Sequence, residues 1–148
     1  MTVLHQILQD RGEAGRPAGR VLCLLLLSAA QSFALGPHEI ALLVNQNSPE
    51  SGELAADYAH LRRIPSANII PLSLPEGMGT TDRELTPDEF DTHIWTPATN
   101  RIQRAGLTEQ ILAWVYSVDF PLSVSTEDFT MSIHGMTYMR NSLPEVLE

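Results

Sequence analysis

Two unbroken apolar runs set the architecture of this chain: Ile40-Ala41-Leu42-Leu43-Val44 and Ile111-Leu112-Ala113-Trp114-Val115-Tyr116-Ser117-Val118. Neither alternates polar with apolar residues, so each predicts a strand covered on both faces, as in a parallel sheet. Between them the period turns helical. Ser48 before Pro49 marks a helix start, with serine as N-cap and proline in the first turn. Glu50 and Glu53 suit the positive end of the helix dipole, and Arg62 and Arg63 the negative end. Leu54, Tyr58 and Leu61, with Ala55, predict the buried stripe. Pro65 disfavours a helical Ile64 and closes the helix near Arg63.

A second strand is predicted over residues 68–74. It contains Pro71, which cannot donate a ladder hydrogen bond, so it belongs at a sheet edge. Residues 75–83 read as a polar loop. Thr86 and Glu89 form a capping box. The helix that follows places Phe90, Ile94, Ala98 and Ile102 on one face, with Pro97 predicting a kink or a restart capped by Thr96. Gly106 ends it. Beyond Leu122 the pattern weakens. Residues 131–139 admit one more short strand, and residues 141–148 read as a tail.

Strands separated by helices imply right-handed parallel crossovers. The expected fold is therefore α/β: a three-layer sandwich with a parallel sheet in the order 2-1-3. It matches the start of a doubly wound (Rossmann-like or flavodoxin-like) or caspase-like sheet. Three strands are few beside the roughly 4–6 of a typical sheet. The expectation is a front portion of a longer domain, or a sheet completed by another chain.

Residues 1–34 read as an export signal. Arg11, Arg16 and Arg20 precede an apolar run that starts at Val21, and small residues follow at Ser32 and Ala34. That is the pattern of a secretory leader cut after Ala34. The run falls short of the roughly 20 apolar residues a membrane span needs. The domains expected are thus 1–34 signal, 35–122 α/β core and 123–148 an irregular segment, with a periplasmic or extracellular location and no mature transmembrane segment. The single cysteine, Cys23, lies within the leader, which leaves no disulfide and no thiolate beyond it. The 9 basic residues are all arginines, which excludes Schiff-base lysine chemistry and a P-loop. With 18 acidic residues the net charge is −9. Such a chain repels nucleic acid, whose binding depends on neutralising phosphates. A small molecule or a protein is the expected partner.

Ligands of open parallel sheets bind beyond the carboxyl ends of the strands, where strand order reverses. Asn45, Asn47 and Ser48 after the first strand, and Ser117 and Asp119 after the third, should meet there. Asp119 is the acid/base candidate; Asn45, Asn47, Ser48 and Ser117 are candidate ligand contacts. The amides after Ser48 offer an anion cradle. The structural alternatives are ordinary turn and cap roles, with Asp119 in an Asx turn. Asp82, Glu84, Asp88, Glu89 and Asp91 lack the spacing of a calcium loop. His38, His60 and His93 lack zinc spacing, and no G-x-G-x-x-G or G-x-S-x-G occurs. No cofactor is expected. His134-Gly135 resembles, as a dipeptide only, the catalytic histidine of caspase-like cysteine peptidases. Those enzymes need a cysteine after the next strand, and none follows here.

The segment Asn45-Gln46-Asn47-Ser48-Pro49, then Ala56-Asp57-Tyr58, Arg63-Ile64-Pro65-Ser66-Ala67-Asn68-Ile69-Ile70 and Val118-Asp119-Phe120-Pro121-Leu122, resembles a family of exported bacterial proteins of unknown function. The resemblance covers about residues 36–122. It implies an exported α/β protein whose family members run longer, and hence a truncated gene or a fragment. It transfers no activity and no catalytic residue. The expected function is an exported α/β protein with a hydrolase-like or small-ligand site at the strand ends. The alternative is a non-catalytic interaction module, and a divergent caspase-like fragment comes third.

Overall fold

The computed structural model describes residues 35–142; the expected export signal and the end of the expected tail, residues 143–148, lie outside the described residues. After a 3-10 turn at Pro37–Glu39 the chain forms β1 (Ile40–Asn45), α1 (Pro49–Arg62), β2 (Ile69–Leu72), β3 (Glu84–Leu85), α2 (Pro87–Phe90), α3 (Thr96–Arg104), β4 (Ala113–Tyr116), β5 (Ser123–Ser125), β6 (Thr130–Ser132) and α4 (Ile133–Ser142). Helices and strands are mixed around a parallel three-stranded sheet, β2-β1-β4, which is the 2-1-3 order of the first three long strands. β1 runs alongside β2 (Leu42 opposite Ile69, Asn45 opposite Leu72) and alongside β4 (Ile40 opposite Ala113, Leu43 opposite Tyr116). No helix among the described residues is long and apolar enough to cross a membrane.

Two bonds fix the orientation of the peptide groups. Gln46 N–H donates to the Leu72 carbonyl at 2.9 Å, and Ser117 N–H to the Leu43 carbonyl at 3.0 Å. Successive residues of a strand turn their peptide groups to opposite sides. In β2, then, Ile70 and Leu72 face β1 and Pro71 faces outward, where its missing N–H breaks no pairing. In β4, Ala113 and Val115 face β1, while Trp114 and Tyr116 turn their N–H and C=O groups to the outer edge.

Every residue of β1 is buried. Leu43 and Ala41 join a cluster with Phe90, Ile94, Ala98 and Ile102 of the α2–α3 segment and Ile133 and Met136 of α4. Leu42 and Val44 join a second cluster with Ala55, Ala59 and Ile64. Each large side chain so buried contributes about 1.5–3 kcal/mol.

The structure corrects several expectations. β4 is only half-buried at all its positions: Trp114 and Tyr116 pack against one cluster and Val115 against the other, but the strand lies at the edge of the sheet, where no strand among the described residues pairs with its far side. Helix α1 buries Ser51, Ala55 and Ala59, whereas Leu54 and Leu61 are exposed. The small residues let the helix lie close to the sheet, and Ser51 is drawn inward because its Oγ accepts the Asn45 N–H at 3.0 Å. Thr96 is not a cap: Trp95 is already right-handed helical, and a wide π turn spans Asp91–Trp95. There the Thr96 N–H reaches five residues back to the Asp91 carbonyl, so the helical path accommodates Pro97 without restarting.

The expected irregular segment carries regular elements from Ser123 to Ser142. β5 pairs in parallel with β3 (Leu85 opposite Val124) and antiparallel with β6 (Val124 opposite Met131), forming a second small sheet. The expected strand over 131–139 is confined to β6, and Ile133 opens α4 instead. Gly135 and Thr137 are poor helix formers. The helix is held by burial of Ile133 and Met136, three residues apart, and by an Arg140–Asp91 ion pair.

Candidate functional site

The carboxyl ends of β1 and β4 meet through side chains of the connections that leave them. Ser48 is the N-cap of α1, its Oγ accepting the Ser51 N–H at 3.0 Å. The same hydroxyl donates to Asp119 Oδ2 at 2.6 Å. Asn45 Nδ2 donates to the Asp119 carbonyl at 3.0 Å, and Asn45 Oδ1 accepts the Asn47 N–H at 3.1 Å. Ser117 Oγ donates to the Ser51 carbonyl at 2.8 Å, tying the end of β4 to the first turn of α1. Of the expected site residues, Asn45, Ser48, Ser117 and Asp119 are thus brought together. Asn47 adjoins them, but its Nδ2 turns to the Leu74 carbonyl at 2.8 Å, bracing the loop after β2.

Asp119 holds a left-handed backbone, φ 58°, which is uncommon outside glycine but is tolerated by Asp and Asn. Gly79 explains why that loop is so placed. A Cβ on Gly79 would sit 2.3 Å from the Asp119 carbonyl oxygen, and Gly79 itself has φ +90°. Only glycine permits this approach. Two shallow clefts flank the junction. One, of about 360 Å³, is bordered by Asn45, Asn47, Ser48, Glu76, Gly77 and Thr80. The other, of about 330 Å³, is bordered by Gly79, Arg83, Ser117, Asp119 and Leu122.

This geometry limits the chemistry. The positive end of α1 attracts an anion, and here the chain supplies its own, the Asp119 carboxylate. Ser48 has one proton, which it gives to Asp119, and no histidine bonds to it among the described residues. Its oxygen is also occupied by the Ser51 N–H, so the hydroxyl is arranged as a helix cap bonded to a carboxylate and not as the serine of a serine–histidine pair. Among the described residues no cluster of His, Cys, Asp and Glu could hold a metal ion.

His134 lines a different cavity. It lies on α4, its ring edge-on to Tyr116 with centroids 5.1 Å apart. Together with Ile111, Leu112, Trp114, Thr137 and Tyr138 it borders a groove of about 490 Å³ along the outer edge of β4. On the floor, the Tyr116 hydroxyl and Thr137 Oγ1 are 2.7 Å apart. Burial pushes the Tyr116 hydroxyl well above its ordinary pKa, against the smaller opposing effect of that bond. Sequence reasoning missed Gly79 and this groove. The glycine pair Gly77 and Gly79 in a polar loop was the available signal for the first; nothing local announced the second, which depends on α4.

Comparison with protein-family models, with curated proteins and with solved structures finds no match to this chain.

Proposed function

We propose that this protein is an exported α/β domain, the front of a three-layer sandwich, that binds a small polar ligand at the carboxyl ends of β1 and β4 without hydrolysing it. The observation that carries this reading is Asp119. One carboxylate oxygen is fixed on Ser48, its backbone is left-handed, and it borders one cleft while Ser48 borders the other. Strained, over-determined residues cluster at ligand sites. The crevice of an open parallel sheet is where ligands collect. Glu76 borders the first cleft with no basic residue beside it, whereas Asp119 shares the second with Arg83, so the ligand class proposed for the first cleft is an amine or a hydroxyl-rich molecule, not an anion. Binding is favoured over hydrolysis because the Ser48 oxygen is engaged in capping α1 and its only close base is a carboxylate, with no histidine between them.

The test uses the full chain with putrescine, glucose and inorganic phosphate as probes, read by amide chemical shifts of Ser48 and Asp119 and by thermal midpoint. The expected result is a response to the amine or the sugar that Asp119→Asn removes while the fold survives. A response to phosphate alone, or to none of the three, overturns the reading.

A further inference from the structure

The two edges of the β2-β1-β4 sheet are built differently. The β2 edge presents Pro71, which has no N–H to offer. The β4 edge presents the N–H and C=O groups of Trp114 and Tyr116, and no strand among the described residues takes them. Protein edges are ordinarily blunted by lysine, proline, an inward charge or a bulge. Ala113-Trp114-Val115-Tyr116 has none of these; it is a strand of β-prone, uncharged residues.

Beside this edge runs the groove of about 490 Å³, whose far wall is α4. Its rim carries Leu112, 65 % exposed, and Tyr138, 71 % exposed. An open strand edge facing a helix across a groove of mixed lining, Leu112 and Trp114 beside His134 and Thr137, is the geometry by which extended peptides add to a sheet. Main-chain bonds give affinity there, and alternate side chains drop into the groove.

The chain's charge of −9 separates the possible occupants. The residues that line the groove include no Asp, Glu, Lys or Arg, so the discrimination is long-range: a second copy would bring the same net negative charge to the contact. A cationic segment is drawn to it. We infer that the outer edge of β4 and its groove against α4 bind an extended polypeptide segment of a partner, apolar at alternate positions and flanked by lysine or arginine. This goes beyond the small-ligand crevice and does not depend on it.

The experiment titrates the full chain with a synthetic peptide of three Val-Thr repeats flanked by Lys-Lys, its twin N-methylated at alternate residues, and a Glu-flanked twin. Amide shifts and binding isotherms are recorded. The Lys-flanked peptide should move the Trp114 and Tyr116 amides. N-methylation should weaken it at least about tenfold, since it removes main-chain bonds. Leu112→Lys, at an exposed position, should weaken it as well. Absence of binding, equal binding of the N-methylated or Glu-flanked twin, or self-association that protects the Trp114 and Tyr116 amides would each overturn the proposal. The last outcome would name a second copy as the occupant.

Discussion

The Ser48 hydroxyl donates to the Asp119 carboxylate at 2.6 Å, joining residues 71 apart in the chain. The bond serves two purposes at once. It fixes the start of α1 relative to the end of β4, and it places a carboxylate at the positive end of that helix.

Asp119 can be divided into its backbone and its side chain by substitution. Asp119→Asn keeps a residue that tolerates φ 58° and an oxygen that accepts from Ser48, so thermal stability should change by less than about 1 kcal/mol. Asp119→Ala loses the bond and strains the left-handed position, and should lose about 2–3 kcal/mol. Denaturant titration of the two variants side by side reads the difference. Equal stability would show that neither effect operates.

Gly79→Ala puts a methyl 2.3 Å from the Asp119 carbonyl at a backbone φ of +90°. Both faults act together, and a loss of about 3 kcal/mol or more is expected. The Asp119 and Phe120 amides should shift in the same variant, because the loop after β2 must withdraw from them. Gly106→Ala is the control, since it shares a positive φ of +70° but has open space around it, and it should cost less.

Tyr116 predicts the alkaline limit of stability. Its hydroxyl is raised above the ordinary value of 10.0 in the fold and returns to that value on unfolding. The unfolded chain therefore releases this proton first, binding fewer protons than the native chain as pH climbs past 10. Stability from this group is complete below that pH and falls as pH rises toward the folded value. In Tyr116→Phe this contribution is absent, so the alkaline slope should flatten. At neutral pH the same variant should lose about 1 kcal/mol with the Thr137 bond. Unfolding free energy measured from pH 7 to 11 distinguishes the two effects.

Helix α1 offers a contrast of exposed and buried positions. Leu54→Gln and Leu61→Gln should leave stability within about 0.5 kcal/mol, since both side chains face solvent. Ala55→Leu should destabilise by about 1–3 kcal/mol by forcing the helix off the sheet. The reverse ranking would mean that α1 packs through its leucines.

What could be read from the residues follows a physical divide. Local signals were legible: the unbroken run of β1, the Ser48 and Thr86 caps, Pro71 at an edge and Pro65 past the helix end all act within a few residues. The meeting of Asn45, Ser48, Ser117 and Asp119 followed from strand order, once the order was right. Features made by packing were not legible. The stripe of Leu54 and Leu61 was as periodic as the small-residue face that is buried, and periodicity alone cannot choose between two such faces. The strands β5 and β6, at three residues each, are too short to carry a pattern. Helix α4 depends on contacts with a sheet far away in sequence.

Pro71 has a consequence for crowded conditions. Fibrous stacking of sheets requires two competent borders on each unit, one to receive and one to give. With proline sealing the β2 side, a molecule of this kind can be joined on one flank only. Any such union ends with the first neighbour, and runaway polymerisation by this route is blocked by a single ring.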